Sequence, residues 1–177
     1  MTGLRGIAAL TAYITAIVAA NWLTTRYGLV PVGFGLITTA GTYAAGAALL
    51  LRDVVQDTLG WRWVLAGIGA GAILTALTSP ALAVASTVAF LLAELLDTAV
   101  YTPLRARGWA RAALLSGIVG AVADTYAFLA LAGFPITAQT VGGQLVGKAL
   151  WATVLPVLIV VAVRQVRRAV HRDPIGA

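Results

Sequence analysis

Apolar stretches of about 18 to 23 residues recur from one end of the chain to the other, each long enough to cross a hydrocarbon core of about 30 Å at about 1.5 Å per residue. That recurrence restricts the chain to a membrane-embedded bundle of helices. The 177 residues are 60% hydrophobic and only 10% charged, against about 25% charged in an average soluble domain. The spacing predicts an all-α integral membrane protein: one domain of six transmembrane helices, at about Gly6 to Leu23, Val32 to Leu51, Val64 to Thr78, Ala81 to Tyr101, Trp109 to Leu131 and Gln144 to Val163.

Arginine placement orients this layout. If six spans alternate, one side holds Arg5, Arg52, Arg62, Arg105, Arg107, Arg111, Arg164, Arg167, Arg168 and Arg172, and the other holds Arg26 alone. The positive-inside rule then predicts an inner-membrane protein with both termini in the cytoplasm. The same rule accounts for the net charge of +6 without nucleic acid as a partner. Arg5 before an apolar run, with Ala19 and Ala20 near its end, resembles a signal peptide; the spans that follow argue that this helix is retained.

The polar residues inside the spans carry the functional argument. An ionised side chain near the centre of a span costs roughly 2.5 to 3.5 kcal/mol, so Glu94, Asp97, Asp124 and Lys148 need a reason to be there. Glu94, Asp97 and Tyr101 share one helical face by their three- and four-residue spacing, and Gln144 and Lys148 share another. Counting from the outer ends at 1.5 Å per residue, Lys148 lies roughly five residues deep, Asp124 eight, Glu94 thirteen and Asp97 sixteen. Lys148 and Asp124 are therefore placed to pair, with Glu94 near the midplane and Asp97 and Asp53 continuing the ladder inward.

Each candidate has a plainer reading. Asp124 with Lys148 reads also as a packing ion pair, Glu94 as a structural group, and Asp97 as a hydrogen-bond partner of Arg105 or Arg107. Arg52 and Asp53 read first as a solvated helix end. Asn21 is equally ambiguous, and Trp151 reads as packing or lipid-facing. Span two, with Gly33, Gly35, Thr38, Thr39, Gly41, Thr42 and Gly46, suits close packing or a cavity wall. Glu94 and Asp97 emerge as the stronger substrate readers, because Asp124 and Lys148 satisfy one another.

Several chemistries drop out. With no cysteine there are no disulfides or thiolate sites; His171 stands alone in a basic tail, and the GxxxxGK[ST] phosphate loop is absent. No nucleophile with an orienting base accompanies the carboxylates, so an enzyme is not expected, nor any cofactor or metal.

Ala20-Asn21-Trp22, Leu51-Arg52-Asp53 before Gly60, Glu94-Leu95-Leu96-Asp97 before Arg105, Ala123-Asp124-Thr125-Tyr126-Ala127-Phe128 and Gly147-Lys148 occur in an order and spacing that resembles the queuosine-precursor transporter family, also described as the vitamin uptake transporter family. The resemblance implies six helices and import of a 7-deazaguanine: the cyano or aminomethyl precursor of queuosine, or queuine. A carboxylate of Glu94 or Asp97 would accept from the ring N–H and exocyclic amine, Lys148 or Gln144 would donate to the ring carbonyl, and Tyr101, Phe128 or Trp151 would cover a base face. Asn21, Thr38, Asp53 and Asp124 complete the expected binding set. Expected partners are a small nucleobase-like solute and the lipid bilayer, with a homo-oligomer or a separate ATPase module left open. The competing classes are a substrate-binding subunit of an energy-coupling-factor-type importer, and a non-transport membrane enzyme or scaffold.

Overall fold

The computed structural model describes residues 2–148 and 154–170. Helix α1 (Thr2–Tyr27) leads into a hairpin of β1 (Leu29–Gly33) and β2 (Leu36–Thr39), followed by α2 (Thr42–Leu59), α3 (Trp61–Thr78), α4 (Pro80–Arg105), α5 (Trp109–Leu131), the short α6 (Ala138–Leu145) and α7 (Leu155–Val170). Helix α1 packs on α2 and α3, α3 on α4, α4 on α5, and α6 on the hairpin.

Among the described residues, four helices are long and apolar enough to cross a membrane: 3–27, 61–78, 80–105 and 109–131. Their outward faces carry large exposed apolar side chains such as Leu77, Val84, Leu95 and Leu115, while polar and charged groups point inward. This is the inverse of a water-soluble bundle and is what a lipid solvent demands. Span five matches the expected limits, and α1, α3 and α4 extend beyond them. Helix α4 runs through Pro103 to Arg105, where the sequence placed its end near Tyr101. The expected sixth span includes 149–153, outside the described residues.

The second span requires correction. Residues from Val32 to Thr39 belong to an antiparallel hairpin, registered Leu29 to Thr39, Val30 to Thr38 and Pro31 to Ile37. The bundle is thus not wholly helical. Gly33, Phe34 and Gly35 turn the chain at φ values of 96°, 55° and 71°, which a helix excludes and which two of the three tolerate by lacking a side chain. Helix α2 starts only at Thr42 and continues to Leu59, through the segment read as a polar connection. Arg52 and Asp53 therefore sit in a helix interior, buried, and not at a solvated end.

Glycines set how closely the elements approach. A Cβ on Gly67 or Gly71 of α3 would stand 2.8 or 2.7 Å from Tyr13 or Ile17 of α1, so these two positions let the helices meet. At Gly143 of α6, a Cβ would reach into the backbone carbonyl of Ile37, so α6 lies directly on the hairpin's main chain.

Candidate functional site

Two polar layers occupy the bundle interior, built largely from the same helices at different depths. The upper layer lies under the hairpin. Ala20, Asn21 and Thr24 of α1, Thr39 and Gly41, Thr42 and Ala45 of α2, Ser86 and Phe90 of α4, Asp124 and Phe128 of α5, with Gln144 and Lys148, enclose a cavity of about 20 Å³. A space of that size admits about one water molecule.

Hydrogen bonds define its walls. Asn21 Nδ2 donates to Thr75 Oγ1 at 3.3 Å and to Ile17 O at 3.1 Å. Thr38 and Thr39 share hydroxyl bonds with Thr42 of 2.6 and 3.1 Å, and Gln144 Nε2 donates to Thr39 Oγ1 at 3.0 Å. Gln144 Oε1 is buried with no partner among the described residues. An amide oxygen left so is an acceptor waiting for a donor, since an unmet buried acceptor costs about 1–3 kcal/mol. Lys148 Nζ lies 2.7 Å from Asp124 Oδ2, the pairing expected from depth, and donates to Thr125 Oγ1 at 3.4 Å. Phe128 stacks on Phe134 with ring centroids 6.0 Å apart.

The lower layer is built around a buried arginine. Arg52 projects from the middle of α2 between α2 and α4, where its Nε meets Glu94 Oε2 at 2.6 Å, its Nη1 meets Asp53 Oδ1 at 3.1 Å, and its Nη2 contacts Asp97. Relative exposures of 0% for Arg52, Glu94 and Asp97 and 2% for Asp53 mean that no solvent screens these charges. Gln56 Oε1 accepts from Arg52 Nη1 at 2.9 Å, and the guanidinium stands 5.9 Å from the Tyr101 ring centroid. The Tyr101 hydroxyl donates to Asp57 Oδ1 at 3.1 Å, and Asp57 holds Arg105 at 3.2 Å at the arginine-rich end.

The ten sequence candidates therefore divide. Asn21, Asp124, Phe128, Gln144 and Lys148 line the cavity, and Thr38 braces it through Thr42. Asp53, Glu94, Asp97 and Tyr101 surround Arg52 and do not line it. Asp97 pairs with Arg52; Arg105, proposed as its partner, bonds Asp57. Trp151 lies outside the described residues. The sequence reading missed Arg52 as a site residue, together with Thr24, Ser86 and Phe90, whereas Thr39 and Thr42 belong to the segment read as suited to close packing or a cavity wall. Arg52 had a findable signal: no proline and only the isolated Gly46 fall between Gly41 and Gly60, so position 52 reads as mid-helix.

A family model described as "Putative vitamin uptake transporter" matches residues 7–163. No curated protein and no solved structure matches the chain.

Proposed function

The chain belongs to the vitamin uptake transporter family, and from that membership we propose that it imports a 7-deazaguanine through the cavity beneath the hairpin. The observation that carries this reading is the cavity's chemistry: an amide acceptor unmet among the described residues, Gln144 Oε1, in the same lining as the Asp124–Lys148 pair and the Phe90 and Phe128 rings. A guanine-like edge presents two adjacent N–H donors, which one carboxylate accepts together. Asp124 serves here in place of Glu94 or Asp97, because those two are held on Arg52. Lys148 donates to the ring carbonyl, and Phe90 or Phe128 covers a base face.

A cavity that admits about one water does not hold a base, so loading requires the hairpin and α6 to move away from α1 and α2. Alternating exposure of one midplane site then carries the base across. The arginine-rich end, with Arg105, Arg107 and Arg111, faces the cytoplasm, and the hairpin faces outward.

Uptake of labelled 7-deazaguanines by cells unable to make the precursor, with and without this chain, tests the substrate. Saturable uptake that falls in Asp124→Asn and Gln144→Leu supports the reading; no uptake across the panel despite good membrane expression refutes it. Uptake by the purified protein in liposomes, without another chain, excludes an obligatory ATPase module.

A further inference from the structure

The lower layer holds more negative charge than it can keep. Counting Arg52 and Lys148 against Asp53, Glu94, Asp97 and Asp124, the two layers carry an excess of two negative charges when all are ionised, however the pairs are drawn. Asp57 and Arg105 below them cancel. Burial without solvent penalises each uncompensated carboxylate heavily. A proton on a carboxyl oxygen is the smallest remedy. Among the described residues no group of three or more carboxylate or histidine ligands is arranged to hold a metal ion, and the guanidinium at the centre of the cluster repels a further cation.

The oxygens where a proton would sit are identifiable. Arg52 engages one oxygen of Glu94 and one of Asp97; the other two, Glu94 Oε1 and Asp97 Oδ1, are buried and have no partner among the described residues. The hydroxyls of Tyr13, Thr98 and Ser116 are likewise buried and unmet. Arg52 of α2 contacts Glu94, and Asp53 of α2, Tyr13 of α1 and Asp124 of α5 are the other ionisable groups within electrostatic reach of it, while α3 offers no ionisable side chain beyond Arg62 in its first turn.

Position links this cluster to the cavity. A Cβ at Gly120 of α5 would lie 3.2 Å from Asp97 Cβ, and Asp124 stands four residues further along α5, about one helical turn of 5.4 Å. On α4, Phe90 of the cavity wall is one turn above Glu94. Below, the Tyr101 hydroxyl, Asp57 and half-exposed Arg105 connect the Arg52 ring contact to the cytoplasmic end.

Resting on the transport reading above, we infer that the Arg52–Glu94–Asp97 cluster is a proton site that couples base import to proton entry. With the cavity open outward, an O–H bond forms on Glu94 or Asp97 from an external proton. With the site open inward, that bond breaks and the proton leaves along Tyr101 and Asp57. Nothing else in the cluster is made or broken, and Arg52 holds the ionised form ready for the next proton.

Purified protein in liposomes loaded with a pH-sensitive dye tests this, with the membrane potential clamped by potassium and an ionophore. Exchange of labelled for unlabelled 7-deazaguanine at equal pH reads transport alone. One pH unit, acid outside, is expected to drive about tenfold accumulation per proton carried, with base-dependent acidification of the lumen and collapse by a protonophore. Glu94→Gln, and independently Asp97→Asn, are expected to bring accumulation down towards onefold and abolish the dye signal. Intact exchange in the wild type with onefold accumulation and no acidification overturns the proton site and leaves the transport reading standing. Absence of exchange for every base overturns the transport reading and the coupling with it.

Discussion

The upper and lower polar layers both draw on α2 and α4, yet they handle charge in opposite ways. Above, one lysine meets one aspartate, amides and hydroxyls fill the wall, and a small space remains. Below, three carboxylates crowd one guanidinium. Balanced charge beside a cavity suits a ligand; unbalanced buried charge suits a proton. The difference teaches that an intramembrane carboxylate is not informative alone. Its partner decides its role, and here the partner is Arg52 in one layer and Lys148 in the other.

The comparison breaks most severely if Arg52 is removed. Arg52→Met strands three buried carboxylates, and stability is expected to fall by about 3–5 kcal/mol, the usual cost of leaving half a buried ion pair. Thermal unfolding in detergent, read at neutral and at acid pH, checks it: acid should restore part of the loss by protonating the stranded groups. A variant as stable as the wild type would remove the guanidinium from its organising place.

The upper layer should respond differently to neutralisation. Lys148→Met alone strands Asp124 and costs roughly 3 kcal/mol, whereas Lys148→Met with Asp124→Asn recovers most of that stability, a coupling visible in a double-mutant cycle. Uptake should be lost in both. Transport surviving in the double variant would make the pair a packing device.

A smaller effect is expected where the upper layer is closed. Gly143→Ala drives a methyl group into the Ile37 carbonyl and should cost about 1–3 kcal/mol by forcing α6 off the hairpin. The chain has no cysteine, so Thr39→Cys provides a single thiol, and its labelling by an impermeant maleimide should quicken in the Gly143→Ala background. The least effect belongs to Gln144→Leu: loss of one hydrogen bond to the base, about 0.5–1.5 kcal/mol, should raise the half-saturation concentration roughly two- to tenfold, while losing the bond to Thr39 and removing the unmet acceptor oxygen offset one another in stability.

Much of this was legible in sequence because lipid imposes simple rules. Apolar length located α1, α3, α4 and α5, and counting residues along the spans brought Asp124 to Lys148. The hairpin was not legible that way, since Val30, Val32, Ile37, Thr38 and Thr39 are apolar or hydroxyl residues that suit a helix by hydropathy and a strand by their branched side chains. Once span two was started at Val32 it ended too early, and Arg52 was pushed to the membrane boundary. That single shift hid the partner of Glu94 and Asp97. Reading helix breakers before hydropathy, at Gly41 and Gly60, places Arg52 correctly and exposes the lower layer.

The joints between α2, α3 and α4 have a mechanical consequence. Gly60, at φ 91°, alone separates α2 from α3, and Ser79 alone separates α3 from α4. Three rods linked by single residues behave like a carpenter's folding rule: they pivot but do not lengthen. Arg52 rides on the first rod and Glu94 and Asp97 on the third, so any swing of the rods must turn at Gly60 and Ser79 and be felt at the arginine. Adding slack at either joint, with two or three inserted glycines, would disconnect that lever without touching a single charged residue.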